Sequence, residues 1–274
     1  RTSGTTEGLR GITYENSTFV AVGASSTILT SSDGTSWDNR TSGTTRNLWD
    51  VIYGNSNFVT VGNSGTIYTS SDNGSTWIQR TSGTSKKLNG VTYANSTFVT
   101  VGGSGTILTS SDGTSWDNRT SGTTEGLRGI TYENSTFVAV GASSTILTSS
   151  DGTSWDNRTS GTTRNLWDVI YGNSNFVTVG NSGTIYTSSD NGSTWIQRTS
   201  GTSKKLNGVT YANSTFVTVG GSGTILTSSD GTSWDNRTSG TTENLSGLTY
   251  GNSTYVIVGN SGTILTSSDG TSWD

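Results

Sequence analysis

The chain has 274 residues, with 15 Lys+Arg against 19 Asp+Glu for a net charge of −4, and it contains no Cys, His, Pro or Met. Without Cys or His there is no disulfide, no thiolate chemistry, no usual general base and no common metal ligand, so no cofactor and no metal site are expected. No basic run offers a footprint for nucleic-acid phosphates, no apolar run approaches the ~20 residues of a membrane span, and no signal-peptide core leads the chain, so neither nucleic acid nor membrane is an expected partner. The chain opens on Arg1 and not on Met, as a processed or rebuilt start would.

The motif RTSGT opens at Arg1, Arg40, Arg80, Arg119, Arg158, Arg198 and Arg237, which divides a single domain, 1–274, into units 1–39, 40–79, 80–118, 119–157, 158–197, 198–236 and 237–274. Residues 1–118 recur letter for letter as 119–236, and a distinct seventh unit closes the chain. Natural repeats drift, so an intact copy of this length means either a very recent duplication or a gene assembled by hand. The second is favoured: a designed or repeat-amplified protein. Descent from one short parent also explains why whole residue types are missing.

Within the first unit, LRGITYEN alternates around Ile12 and Tyr14 and predicts a strand. STFVAVG is a compact apolar run, STILTSSDG follows a polar turn, and SWDNRTSG supplies a fourth segment of strand formers. Thr, the aromatics and the β-branched residues suit a pleated, half-buried surface. Four short strands separated by Gly, Asn, Asp and Ser clusters on a period near 40 match the blade of a β-propeller. The prediction is an all-β, seven-bladed propeller with four antiparallel strands per blade. Its ring closes by pairing the N- and C-terminal segments, with Asp274 and Arg1 nearly end to end in one outer strand.

A Ser-Asp-Gly-Trp cluster recurs in every unit. SSDNGSTW at Ser70–Trp77 and Ser188–Trp195 resembles the Asp-box of BNR repeats, Ser/Thr-x-Asp-x-Gly-x-Thr-Trp, carried by sialidases and photosystem II assembly-factor propellers. The other five copies, such as SSDGTSW at Ser31–Trp37, are one residue shorter between Asp and Trp. The resemblance covers the whole chain, implies a turn between a blade's third and fourth strands, and places such parents in the periplasm, outside the cell or in the thylakoid lumen. The physics of the motif is readable: Asp accepts bonds from the N–H groups of its own turn, Gly permits positive φ, and Trp inserts a large ring between sheets. The structural pairs are Asp33 with Trp37, Asp72 with Trp77, Asp112 with Trp116, Asp151 with Trp155, Asp190 with Trp195, Asp230 with Trp234 and Asp269 with Trp273. Seven equivalent acids around a ring do not pair as glycoside hydrolysis requires. They read as staples.

A sialidase would also need three substrate-binding arginines and a Tyr–Glu nucleophile. Here the RTSG arginines and the Tyr14 position repeat in every unit, as edge ion-pair and packing residues do. No catalytic residues are expected and the chain is not read as an enzyme; a glycoside hydrolase is the third-ranked reading.

Variation gathers in two places: the loop entering the first strand (TTEGLRG, TTRNLWD, TSKKLNG, TTENLSG) and the turn after the second (GASST, GNSGT, GGSGT). Both fall on one face of an up-and-down blade, with the Asp-boxes and ENST turns on the other. Loops on a rigid scaffold are where binding groups concentrate. The candidate binding rim is therefore Arg10, Arg46, Trp49, Lys86 and Lys87, with their copies Arg128, Arg164, Trp167, Lys204 and Lys205. Glu7, Asn89, Glu125, Asn207, Glu243 and Ser246 stand on the same rim. Trp49 and Trp167 can stack on a sugar or a peptide side chain, although covering the neighbouring blade is the favoured role. The triplets at Asn16, Asn95, Asn134, Asn213 and Asn252, with NRT at Asn39, match glycosylation acceptors, as a Ser/Thr-rich chain does by chance. The leading expectation is a monomeric, near-symmetric scaffold without evolved catalysis; the alternative is a carbohydrate- or protein-binding module using the variable face.

Overall fold

The structure, a computed structural model, describes residues 3–274. The first blade consists of β1 (Leu9–Glu15), β2 (Thr18–Gly23), β3 (Ile28–Ser31) and β4 (Asp38–Arg40), paired antiparallel in sequence order. The same order repeats around the ring, with six four-stranded sheets and a seventh of three strands among the described residues. The chain is a seven-bladed β-propeller, as its period predicts. The outer strands are shorter than the sequence suggests. Only Asp38–Arg40 pairs, because the box turn consumes the residues up to Trp37.

Local chemistry sets each connection. The turn between the first two strands is Asn–Ser in every blade, and both residues have positive φ (Asn16 49°, Ser17 58°). Two left-handed residues make a type I′ turn, whose twist matches that of the flanking strands. Arg40 extends along the blade edge, where its Nε donates to Thr30 Oγ1 at 2.8 Å and its guanidinium pairs with Asp38 at 3.0 Å. The same ion pair forms at Arg119, Arg158 and Arg237. In the two longer units Ile78 and Ile196 replace that Asp, and Arg80 and Arg198 keep only the Thr contact.

The core lies between blades. Val20, Val22 and Ile28 of the first blade pack on Leu48, Val51 and Phe58 of the second, with Trp77 lying against the cluster. The opposite face of the first blade, through Leu9, Ile12 and Phe19, meets Val256, Val258 and Ile264 of the seventh. The ring is therefore closed by the same packing that builds it. A run of three rings descends five of the interfaces, as where Tyr14 and Phe19 have centroids 4.4 Å apart and Phe19 and Trp37 6.2 Å; in the two longer units the ring contact is the Tyr–Phe pair. Every blade contributes a fully buried Phe or Tyr at this place, each worth about 2–3 kcal/mol of burial. The buried hydroxyls of Thr60 and Thr100 are satisfied by inner-strand carbonyls at 2.8 Å.

The box tryptophans sit less deeply than insertion between sheets implies. Trp37, Trp77, Trp116, Trp155, Trp195, Trp234 and Trp273 are all half-buried. Each lies against the rim of an interface cluster, Trp116 beside Phe98, Trp155 beside Phe137, Trp234 beside Phe216 and Trp273 beside Tyr255. The centre of the interface is already filled by that Phe or Tyr, so the indole covers its edge.

The expected junction at Arg1 lies outside the described residues. On either side of it the contacts are those of the other blades. Asp274 exchanges both backbone bonds with Thr266, at 3.0 and 3.1 Å, which begins the outer strand of the seventh blade. Glu7 O accepts from Gly262 N at 2.9 Å, as Lys86 O accepts from Gly65 N at 2.7 Å.

Candidate functional site

The two faces of the ring are built differently. On one lie the box turns. Ser31 Oγ donates to Asp33 Oδ1, which also accepts from the N–H groups of Thr35 and Ser36 at 2.8 and 2.9 Å. Trp37 Nε1 donates to Gly34 O at 3.2 Å, so the ring at the interface is tied back to the turn. Trp77, Trp155 and Trp195 make the same bond to Gly74, Gly152 and Gly192 at 3.0 Å, and Trp116 and Trp234 make it to Gly113 and Gly231 at 3.1 Å. Trp273 departs from the pattern: its Nε1 is buried without a partner, so the last staple is held by Asp269 and packing alone. In the longer copies Asn73 takes up the extra residue with φ 58°, and Asp72 accepts instead from Thr76 N and Thr76 Oγ1. These bonds favour the ionised acid. Asp33, Asp112, Asp151, Asp230 and Asp269 are held well below the usual carboxylate range, and the Thr76 and Thr194 bonds hold Asp72 and Asp190 at about 2. Hydrogen bonds between blades join this face, as where Asn16 Nδ2 donates to Asn73 Oδ1.

The other face carries the channel mouth, a cavity of ≈ 430 Å³. Its position follows from a β-bulge. The register of each inner strand shifts one residue past its buried Leu, between Leu48 and Asp50 in the second blade and at the same place in the others. A bulge re-aims the extra side chain, here Arg10, Trp49, Asn89, Arg128, Trp167, Asn207 and Ser246, all of which line the cavity. The strand opposite answers with an obligatory glycine: a Cβ on Gly23 would sit 2.4 Å from Gly8 O.

Trp49 is fixed at its edge by Nε1 donating to Asn63 Oδ1 at 2.8 Å, and Trp167 by Asn181 at 2.7 Å. Their rings are occupied by cations. Lys87 Nζ, from the following blade, lies 3.3 Å from the Trp49 centroid, and Arg10 Cζ, from the preceding blade, lies 5.0 Å away. Lys205 and Arg128 repeat the arrangement on Trp167 at 3.3 and 3.8 Å. Such contacts contribute roughly 0.5–2 kcal/mol each. Trp49 thus joins neighbouring blades through cations, where the sequence offered either a free stacking platform or a simple cover.

Of the ten rim residues expected from sequence, six meet at this cavity: Arg10, Trp49, Lys87, Arg128, Trp167 and Lys205. Arg46, Lys86, Arg164 and Lys204 are exposed outside it. Glu7 and Glu125 turn to Ser25 Oγ and Ser143 Oγ, at 3.0 and 3.1 Å. Burial pushes Lys87 and Lys205 down to about 8, reinforced by the charges of Arg128 and Arg10. Burial likewise lowers Arg128.

Sequence reasoning passed over Asp50 and Asp168. Each follows its Trp on the inner strand, at a position that is Gly in the other five units. Inner strands crowd there; a Cβ on Gly11 would lie 2.7 Å from Asp50 Cα. Asp50 Oδ1 and Oδ2 accept from Val51 N and Val91 N, both at 2.9 Å. Part of each residue's surface stays accessible, but the surrounding protein strips water from the carboxylates. That desolvation pushes Asp50 up to about 7 and Asp168 up to about 6. The signal available was an acid at a glycine position of a strand.

No protein-family model matches the sequence, and the search of curated proteins gives no match. Solved structures share the fold at low identity. A YCF48 propeller bound to a D1 peptide is 20% identical with a TM-score of 0.79, covering 97% of this chain and 93% of that one. A virginiamycin B lyase from Staphylococcus aureus is 12% identical with a TM-score of 0.86, covering 96% and 95%. The computationally designed protein Ika8 is 12% identical with a TM-score of 0.67, covering 95% and 96%. At these identities the likeness is one of fold. The Asp-box resemblance rests on the residues and geometry of the turn.

Proposed function

We propose that this chain is a near-symmetric, repeat-amplified propeller scaffold without evolved catalysis, whose variable face serves as a binding surface. One observation carries the reading. Six of the ten variable rim residues meet at the channel mouth, while the interfaces between blades are nearly the same packing written around a ring. A catalytic centre needs dissimilar groups converging once; here Arg10, Trp49 and Lys87 recur as Arg128, Trp167 and Lys205. Likeness in fold to a designed propeller supports the scaffold, and likeness to a propeller with a bound peptide supports a peptide segment as one class of ligand, with a glycan as the other class to be tested.

The test is a pair of arrays, one of glycans and one of peptides, run on the intact chain and on Trp49→Ala/Trp167→Ala side by side. A hit lost in the double variant makes the mouth a recognition site for that class. Silence from both proteins, each still folded, leaves the scaffold without the binding face.

A further inference from the structure

We propose that the channel mouth binds a compact molecule bearing an oxyanion group at each end, such as a short polyphosphate or a small dicarboxylate. The inference rests on the reading of the mouth as the binding face and names its ligand chemistry. Four cationic side chains, Arg10, Lys87, Arg128 and Lys205, border one cavity whose lining contains no Asp or Glu. The four ion pairs found among the described residues all lie at the outer blade edge. Arg10 Nε and Arg128 Nε are buried and have no hydrogen-bond partner, a cost that a bound acceptor would remove. Asp50 and Asp168, which follow the two Trp residues, have both carboxylate oxygens occupied by backbone N–H groups, and Glu7 and Glu125, three residues before the arginines, accept from Ser25 and Ser143 outside the lining.

The geometry also sets the ligand's shape. Each copy of the 118-residue segment supplies one Arg, one Trp and one Lys, and the two sets share the cavity. The Trp rings hold their Lys and Arg partners in place, so much of the ordering cost of binding is met beforehand. Arg favours the forked acceptors of phosphate and carboxylate. A volume of ≈ 430 Å³ suits a small molecule spanning both sets. The protein as a whole is acidic, at −4, so attraction is confined to the mouth.

The test is calorimetry at low ionic strength, where screening is weakest, comparing pyrophosphate and succinate with phosphate and acetate. The expected result is at least tenfold tighter binding of a two-ended anion than of its one-ended counterpart. Success with pyrophosphate alone assigns phosphate chemistry, and success with succinate as well assigns oxyanions in general. Lys87→Gln/Lys205→Gln should weaken that binding at least tenfold, and Arg10→Gln/Arg128→Gln tests the same site without touching the lysines. Arg80→Gln/Arg198→Gln removes equal charge from the outer edge and should leave it unchanged. Equal losses in the edge pair and the mouth pairs, or equal affinity for one- and two-ended anions, overturn the inference, as does the absence of binding. Array hits lost with the Trp pair, in a protein that ignores every anion, would sink the polyanion and keep the binding face. Anion binding lost with the mouth pairs, with silent arrays, would keep both the binding face and the anion and remove glycans and peptides as its ligands.

Discussion

The stapled face and the channel mouth are made by the same seven repeats, yet they treat charge in opposite ways. On the stapled face each Asp meets the N–H and hydroxyl groups of its own turn and is held ionised. At the mouth, and on the inner strands beside it, the charges gather with like charges or in desolvated places: Lys87 and Lys205 in the lining are pushed down, Asp50 and Asp168 on the strands up. A group whose bonds favour its working state stabilises the fold. A group held against its preference costs the fold stability at any pH where it would otherwise be charged. The staple is identical or nearly so in all seven blades. The strained charges appear only where the repeats differ.

The largest effect that would break this contrast is in the pH profile of stability. The box carboxylates have lowered values in the fold, so their contribution is fully present above the unfolded value near 3.8. It is lost as pH falls toward about 2, where Asp72 and Asp190 protonate, and below. Asp50 and Asp168 act with the other sign. Their raised values mean that the fold binds more protons than the unfolded chain between about 4 and 7, so stability declines as pH rises through that window and levels off above it. Melting temperature measured from pH 2 to 7, below the range in which Lys87 and Lys205 lose their protons, should therefore peak near pH 4–5. Asp50→Asn/Asp168→Asn should flatten the neutral limb and leave the acid limb. Asn keeps only one of the two accepted bonds, so the variant is less stable throughout and the slope is the readout. An unchanged slope would remove these acids from the account.

A smaller effect isolates one staple. Asp33→Ala frees the N–H groups of Thr35 and Ser36, and because the turn is exposed water takes up part of the loss, leaving about 0.5–1 kcal/mol. Chemical denaturation measures it. A neutral result would mean that Trp37 and Gly34 alone hold the turn.

These two regions were also unequally legible in the sequence. The staple could be read because its chemistry is local: Ser31, Asp33, Gly34 and Trp37 bond within a few residues of one another. The lost indole bond at Trp273 could not, since SSDGTSW reads the same in the seventh unit as in the first. The blade count could be read because the 39–40-residue period is a sum of strands and turns. The mouth was harder, because a bulge decides which side chain enters it and a bulge leaves no mark on strict alternation. Sequence marked Lys86 and Lys87 alike, yet only Lys87, beside buried Leu88, reaches the cavity. That Trp49 would meet Arg10 and Lys87 depends on three blades arriving together, which no single unit encodes.

The finest test of the contrast lies in the turn behind the mouth. Units two, three, five, six and seven place glycine at Gly65, Gly105, Gly183, Gly223 and Gly262, all with positive φ. A Cβ on Gly65 would lie 1.9 Å from Thr84 O, so glycine is what allows the following loop to dock. The first and fourth units carry Ser26 and Ser144 instead, both at φ 64°. A non-glycine residue in that region costs about 1 kcal/mol, partly offset by the greater entropy that glycine loses on folding. Ser26→Gly/Ser144→Gly should thus raise stability by about 0.5 kcal/mol per site, measured by denaturation. It should also slow amide exchange at residue 26, where glycine can make the bond that Gly65 N makes to Lys86 O. If stability rises and anion binding is untouched, the two serines are drift from the repeat. If binding weakens instead, the strained turn helps place the loop that carries Arg46 and leads into the strand of Trp49, and the mouth's departures from symmetry act as one device.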